Sequence, residues 1–112
     1  MVKRYKPQQG DIVVAGFNPQ QGHEQRGRRP ALVVSNNIFN EKTGFALVCP
    51  ITTKDNKFPL HMLLPGNSTT VGFVLTEQVR SVDLTARKAF FVEKVPESFL
   101  ENILGILESF YR

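Results

Sequence analysis

Pro30-Ala31-Leu32-Val33-Val34-Ser35 is the stretch that decides the fold class of this sequence. Its apolar and β-branched side chains are typical of a buried strand, and the segments on either side of it are polar. Upstream, Asp11 to Phe17 has the same character and runs into Asn18-Pro19, which predicts a first strand that enters a loop. Downstream, residues 44–51 predict a third strand, paired with the second as a hairpin.

Short strands continue to residue 92, and the chain then changes character. Several short strands with turn residues between them indicate a small barrel or a tightly coiled sheet. From Pro96 to Tyr111 the apolar residues recur at steps of three and four, which predicts an amphipathic helix packed on the sheet. The predicted fold is therefore mainly β, a small barrel with a C-terminal amphipathic α-helix. The later strands are predicted at residues 60–64, 71–75, 78–82 and 89–92.

The composition is that of one ordinary globular domain. With 112 residues, 41% hydrophobic and 21% charged, the chain is expected to form a single domain over residues 1–112. The apolar run at 46–49 is too short to span a bilayer, and residues 1–6 lead into no signal-peptide segment. We therefore expect a cytoplasmic protein without membrane association. The single cysteine, Cys49, is expected to be a buried small hydrophobe.

The positive charge is concentrated in one half of the sequence. The formal net charge is +4, and residues 1–57 hold nine Lys and Arg against four Asp and Glu. A basic half indicates a polyanionic partner, either a nucleic acid or an acidic protein. No metal is expected, because His23 and His61 lack metal-ligand spacing, and no cofactor is expected, because a Gly-rich phosphate loop is missing from the sequence. His61, in an apolar stretch, is interpreted as a sheet-face residue.

The loop before the second strand carries residues that fit a chemical reaction. The run 23–29 holds His23, Glu24 and three arginines. Cleaving RNA without a metal requires a base for the 2′-OH proton, cations near the phosphorane and an acid for the 5′-oxygen. Arg29 abuts a strand and is the best anchored of the three arginines, and Thr52 offers a hydroxyl and an N–H to a phosphate oxygen. A solvated charged loop is the alternative interpretation.

At these residues the chain resembles the MazF/PemK/Kid family of toxin endoribonucleases. The order and spacing of the matching motifs are far more specific than any single motif. The motifs are Gly10-Asp11-Ile12-Val13, Phe17-Asn18-Pro19, Gly22-His23-Glu24-Gln25, Gly27-x-Arg29-Pro30-Ala31-Leu32-Val33-Val34-Ser35, Pro50-Ile51-Thr52-Thr53 and Val74-Leu75-x-x-Gln78-Val79-Arg80-Ser81-Val82-Asp83.

This resemblance implies both a fold and a function. The implied fold is an SH3-like barrel of the PemK/CcdB type with a C-terminal helix, assembled as a homodimer. The implied function is that of the toxin of a type II toxin–antitoxin system, an mRNA interferase that inhibits translation and growth. It would cleave single-stranded mRNA at specific short sequences without a metal, leaving 2′,3′-cyclic phosphate and 5′-OH ends. A small acidic antitoxin of the MazE type would neutralise it.

By resemblance to the MazF branch, Arg29 and Thr52 are the catalytic pair. Arg29 would stabilise the phosphorane and Thr52 would hold the scissile phosphate. Because a guanidinium is a poor base, Glu24 and His23 are the alternatives for proton transfer. The Kid branch uses a histidine, an arginine and an aspartate, of which only the histidine is matched here, since Leu75 and Glu77 occupy the other two positions. The MazF arrangement is therefore favoured.

Base recognition is expected from amides, cations and rings close to these loops, because unpaired bases are read by such groups. Phe17 is also a candidate core residue, and Lys54 and Lys57 are candidates for general phosphate attraction. The candidate RNA-binding residues are Phe17, Asn18, Gln25, Arg28, Thr53, Lys54, Lys57, Gln78 and Arg80.

Two other functions compete with RNA cleavage. A gyrase-directed toxin of the CcdB type acts through a C-terminal Trp-Gly-Ile, whereas this sequence has no tryptophan and ends Phe110-Tyr111-Arg112. A non-catalytic SH3-like barrel that binds RNA or protein would carry the same basic loops. A decrease in RNA length distinguishes the enzyme from such a binding module.

Overall fold

The computed structural model describes residues 4–17, 27–54 and 57–111, and these residues form an antiparallel sheet flanked by two helices. The strands are β1 (Asp11–Gly16), β2 (Arg28–Val33), β3 (Ala46–Thr52), β4 (His61–Leu63), β5 (Phe73–Leu75), β6 (Arg80–Val82) and β7 (Phe90–Lys94). The helices are α1 (Asn37–Thr43) and α2 (Glu97–Ser109), with a 3-10 turn at Thr76–Gln78.

The sheet has the strand order β4-β5-β3-β2-β1-β7, and β6 pairs with β3 outside that order. One edge of β3 is shared by two short strands, because β6 pairs with Ala46 to Val48 and β5 pairs with Ile51 and Thr52. Two partners on one edge require the sheet to bend between them, which gives a small, strongly coiled sheet. The predicted mainly β fold with a C-terminal helix is confirmed.

Each face of the sheet has its own core, because successive strand residues point to opposite sides. In β1, Ile12 faces the helix α2 and Val13 faces the other side. We call these sides the helix face and the barrel face. On the helix face, α2 inserts Phe99, Ile103 and Leu107 at intervals of four residues. Burying each large side chain contributes roughly 1.5–3 kcal/mol, so α2 is firmly docked. The barrel-face core consists of Val13, Ala15, Ala31, Val33, Ala46, Val48, Val82 and Leu84.

The connection between β2 and β3 differs from the prediction. The two strands pair in antiparallel register, as expected, but α1 lies between them where a hairpin turn was predicted. The helix begins after Asn36, whose side chain accepts a hydrogen bond from the Phe39 N–H, and ends at Gly44 with φ of 76°. Both caps are visible in the sequence. The helix has only two large apolar residues, which are adjacent in sequence and form no stripe, so periodicity did not reveal it.

The start of β2 also corrects the prediction that the loop runs to Arg29. Gly16 pairs with Arg28 and Ala15 pairs with Arg29, so both arginines are strand residues. Backbone pairing with β1 extends the strand past the apolar run, although the side chain of Arg29 is exposed. Each predicted strand starts and ends within two residues of an observed one. Neither α1 nor α2, the α-helices of the described ranges, is long and apolar enough to cross a membrane.

The N-terminal segment is held to the sheet by a buried carboxylate. Asp11 accepts hydrogen bonds from the Tyr5 hydroxyl at 2.5 Å and from the Gln8 N–H at 3.0 Å. The Lys94 ammonium lies 2.7 Å from its other oxygen, which joins β1 to β7. Burial raises the pKa of Tyr5, and the hydrogen bond to Asp11 and the negative charge of that residue raise it further. Tyr5 therefore stays a neutral hydrogen-bond donor.

Candidate functional site

Arg29 and Thr52 lie on the barrel face, at the same end of two neighbouring strands. Ala31 of β2 pairs with Pro50 of β3, and Arg29 and Thr52 each lie two residues beyond this pair, toward the same end of the two strands. Arg29 has the same parity in β2 as Ala31, a residue of the barrel-face core, so its side chain projects on that face. Arg29 is exposed and Thr52 is partly buried. The two strands therefore present a guanidinium and a hydroxyl at the same end of one face.

Thr52 is held by its neighbours in the sheet and in the loop that follows it. On its other edge it pairs with Phe73 of β5, and its hydroxyl accepts a hydrogen bond of 3.2 Å from the Lys54 N–H. Gly72 makes this approach possible: its φ is 142°, and a Cβ there would lie 2.5 Å from the Thr52 carbonyl oxygen. A hydroxyl that accepts one hydrogen bond can still donate its proton. The Thr52 hydroxyl therefore keeps a proton that it can donate.

A second group of cations lies beside this pair, around Phe17. The Arg80 Cζ lies 5.0 Å from the centroid of the Phe17 ring, and the Arg87 Cζ lies 5.5 Å from it. Arg87 also donates a hydrogen bond of 2.9 Å to the Gly16 carbonyl. We call Phe17, Arg80 and Arg87 the Phe17 cluster. Phe17 packs against the barrel-face core, so the cluster lies on the same face as Arg29.

Arg28 faces the opposite way from Arg29, because neighbouring residues of a strand alternate. Its guanidinium lies 5.6 Å from the Phe90 ring centroid and donates to the Lys88 carbonyl. Phe90 pairs with Val14 of β1. Because Val13 faces the barrel face, Val14 and its partner Phe90 lie on the helix face. The prediction that Arg28 binds RNA stays a prediction, and its contacts here are within the protein.

The other predicted residues fall into two groups. Thr53, Lys54 and Lys57 are exposed and follow Thr52 in the chain, and exposed Gln78 donates a hydrogen bond of 3.4 Å to the Glu77 carboxylate. Their proposed roles stay predictions. Four candidates lie outside the described residues: Asn18, His23, Glu24 and Gln25.

Sequence reasoning missed Arg87 and the partner of His61. The His61 Nε2 lies 2.9 Å from the Glu77 carboxylate, and only 4% of its side chain is exposed. The Phe58 ring centroid lies 5.1 Å from the His61 ring. Partial burial raises the pKa of Glu77, but the hydrogen bonds from His61, its own backbone and Gln78 outweigh this and hold it below the ordinary value. Arg87 was not predicted as a site residue because its positive charge was the only feature in the sequence that indicated a role.

Cys49 is fully buried in the helix-face core, as predicted. Burial raises the pKa of its thiol to about 12, and the negative charge of Glu77 acts in the same direction. Because the thiolate is the nucleophilic form, this thiol is inert near neutral pH. Cys49 is therefore not a candidate nucleophile.

Comparisons with known proteins agree on one family. A family model described as "PemK-like, MazF-like toxin of type II toxin-antitoxin system" matches residues 8–111. The chain is 42% identical over 89 residues to "Endoribonuclease toxin MazF" of Escherichia coli (strain K12), covering 80% of this chain and 79% of that protein. It is 41% identical over 117 aligned positions to "Endoribonuclease toxin ChpB" of the same organism, covering 97% of each.

A solved structure shows the same architecture over nearly the full length. The structure described as "Crystal structure of MazE-MazF (Form-II) from Deinococcus radiodurans" superposes with a TM-score of 0.85 at 38% sequence identity. The match covers 96% of both chains. The resemblance in sequence therefore extends to the arrangement of strands and helices.

Proposed function

This chain belongs to the PemK-like, MazF-like toxin family of type II toxin–antitoxin systems, and we propose that it cleaves single-stranded mRNA without a metal ion. It acts in the cytoplasm as the toxin of such a system, and cutting mRNA there stops translation and growth. Relatives that it matches over at least four-fifths of its length are named endoribonucleases.

The observation that supports this activity best is the position of Arg29 and Thr52 at the same end of two neighbouring strands, on the barrel face. A phosphodiester undergoing attack develops negative charge on its non-bridging oxygens, and preorganised cations and donors stabilise that charge. Arg29 supplies the cation, and the hydroxyl of Thr52 supplies the donor that holds the scissile phosphate. Both belong to paired strands rather than to free loops, which keeps their positions stable during the reaction.

The reaction is an internal transfer followed by release of two RNA ends. The 2′-oxygen attacks the adjacent phosphorus while a base takes its proton. The bond from phosphorus to the 5′-oxygen breaks, and the leaving oxygen takes a proton from an acid. The products are a 2′,3′-cyclic phosphate and a 5′-OH, so no water is consumed.

We assign proton transfer to Glu24 or His23, because guanidinium groups remain protonated in proteins. Both residues lie outside the described ranges and precede β2, which carries Arg29. A pH–rate profile of each variant, His23→Gln and Glu24→Gln, identifies the group: loss of one limb of the profile marks the residue that titrates.

The direct test is to incubate the purified protein with a long single-stranded RNA in EDTA and to map the cuts by primer extension. We expect discrete cut sites that Arg29→Ala abolishes, and fragments that end in a 2′,3′-cyclic phosphate. A control with the same RNA carrying 2′-O-methyl groups must stay intact, because the attacking hydroxyl is blocked. Bound but uncut natural RNA would reject the nuclease and favour a non-catalytic binding module.

We further propose that the protein is a homodimer whose cationic barrel face is covered by an acidic segment of its antitoxin. The net charge of +4 and the position of Arg29, Arg80 and Arg87 on one face of the sheet support an acidic inhibitor. The solved relative from Deinococcus radiodurans contains a MazE partner. Competition between single-stranded RNA and an acidic antitoxin peptide tests this, and simultaneous binding of both would contradict it.

A further inference from the structure

We propose that Phe17 is a positioning residue that holds Arg80 and Arg87 beside Arg29, so that the two guanidiniums bind the phosphates next to the scissile one. This inference rests on the proposed function, since it takes single-stranded RNA as the ligand. It differs from the sequence-based interpretation, in which Phe17 either stacks on a base or belongs to the core.

The contacts of the Phe17 ring favour positioning over stacking. The guanidiniums of Arg80 and Arg87 lie over the ring at 5.0 Å and 5.5 Å, and the ring also packs against the barrel-face core. A nucleobase could stack on this ring only by displacing a guanidinium or the core. The aromatic quadrupole instead attracts both cations and limits where they can point.

The backbone around the ring restricts it further. The Phe17 N–H donates a hydrogen bond of 3.0 Å to the Gly27 carbonyl, and the Gly16 N–H donates one of 3.2 Å to the Arg87 carbonyl. Arg87 returns a side-chain hydrogen bond to Gly16. The end of β1 and the segment before β7 are therefore tied together at the point where both arginines meet the ring.

The two positive charges of the Phe17 cluster favour the binding of an anion. Within the described ranges, neither guanidinium lies within ion-pair distance of a carboxylate. One ring brings two like charges together, and their repulsion is relieved when a phosphate binds between or beside them. Each guanidinium carries five N–H donors, and Arg87 uses one of its terminal nitrogens for Gly16, so most donors remain for phosphate oxygens.

The cluster lies close to the proposed catalytic pair. Ala15 pairs with Arg29, and Phe17 follows Ala15 by two residues on the same face of the sheet. Two residues of a strand span roughly 7 Å. A chain of phosphates that reaches Arg29 and Thr52 therefore passes next to the Phe17 cluster. Arg80 and Arg87 would fix the register of the RNA, and Phe17 would act only through them.

The test is a double-mutant cycle between the ring and the two arginines. The probe is a fluorescein-labelled single-stranded RNA of mixed sequence with 2′-O-methyl groups throughout, so that binding is measured without cleavage. The proteins are wild type, Phe17→Leu, Arg80→Ala/Arg87→Ala, and the triple variant. Phe17→Tyr keeps the ring, and Phe45→Leu is the matched control at an exposed phenylalanine beside α1.

We expect Phe17→Leu to weaken binding about five- to tenfold, because the ring no longer attracts the two cations, and to raise KM with little change in kcat. Phe17→Tyr and Phe45→Leu should bind like wild type. Removing both arginines should lower the log–log salt slope by roughly 0.7 for every phosphate that is no longer neutralised. In that background Phe17→Leu should weaken binding by less than about a further twofold, because substitutions of interacting residues are not additive.

An equal effect of Phe17→Leu in both backgrounds would overturn the inference, because the ring would then contact RNA itself. So would wild-type affinity of Phe17→Leu. Should the leucine variant not fold, Phe17→Met replaces it. A protein that binds the probe with the expected cycle but leaves natural RNA intact would refute the proposed nuclease and not the role of Phe17. Absence of binding by the wild type would overturn both.

Discussion

Both faces of the sheet carry arginine guanidiniums over a phenylalanine ring, but the neighbouring groups differ. On the helix face, Arg28 lies over Phe90 and donates a hydrogen bond to the Lys88 carbonyl, so its guanidinium already has partners within the protein. On the barrel face, Arg80 and Arg87 lie over Phe17 next to exposed Arg29. An arginine over a ring is therefore not by itself a binding site. What distinguishes the barrel face is that three guanidiniums and the Thr52 hydroxyl lie on it.

The largest expected difference is between the two neighbouring arginines. Arg29→Ala should lower kcat by about 10³-fold or more, around 4 kcal/mol, because it removes charge that acts in the transition state. Arg28→Ala should reduce kcat/KM by about tenfold or less, mainly through KM, since Arg28 faces the other side. Single-turnover cleavage of one RNA by both variants measures this. Equal effects of the two substitutions would contradict a separation of function between the faces.

Removing apolar side chains from the helix face should affect stability and spare the chemistry. Ile103→Ala opens a cavity where α2 meets the core and should lower the free energy of unfolding by about 2–5 kcal/mol. Urea denaturation measures the change, with Asn102→Ala on the exposed side of α2 as the control. Cleavage by the folded fraction should remain near the wild-type rate. A large fall in kcat below the unfolding temperature would show that α2 shapes the site.

Gly72, directly before β5, lies so close to Thr52 that a side chain at this position should destabilise the protein. Gly72→Ala should cost about 1–3 kcal/mol, because φ of 142° is strained for alanine and its Cβ would lie 2.5 Å from the Thr52 oxygen. Gly105→Ala is the matched control on α2: nothing lies within 4 Å of its Cβ, so it should stabilise by up to about 1 kcal/mol. Thermal unfolding of both variants gives the comparison. Equal melting temperatures would mean that the strand shifts without cost.

The smallest expected effect is pH-dependent and concerns the loop before β5. Burial raises the pKa of Glu93, but hydrogen bonds from the Thr69 and Thr70 N–H groups, at 3.1 Å and 2.6 Å, hold it below its ordinary value. Its stabilisation is present above the unfolded-state pKa and is lost as the pH falls through the lowered folded-state pKa.

Glu93→Gln should therefore be less stable than wild type near pH 7 and should match it near pH 2. The difference near pH 7 should be under about 1 kcal/mol, because solvent weakens the interactions of this accessible carboxylate. Denaturant unfolding at the two pH values measures the difference, with Glu101→Gln on α2 as the control. A deficit that persisted unchanged at low pH would rule out the carboxylate charge as its source.

The elements that sequence predicted well are those with a strong local pattern. Alternating and β-branched residues in β1, β2 and β3 and the four-residue apolar spacing in α2 identified each element, and the motif order identified the family. The short helix α1 was missed because it buries only Asn40 and has no apolar face. Its two caps, Asn36 and Gly44, were the only local signal.

The sequence by itself determined the strands, the docked helix, the burial of Cys49 and the candidates Arg29 and Thr52. Tertiary structure decided which of these residues meet. Arg87 reaches Phe17 and also Gly16, which lies 71 positions earlier in the chain. The sheet of β1, β2 and β3 brings Arg29 and Thr52 to one end of the same face. Local patterns report backbone periodicity and burial. Contacts between distant segments depend on how the sheet coils and closes, which local propensity does not encode.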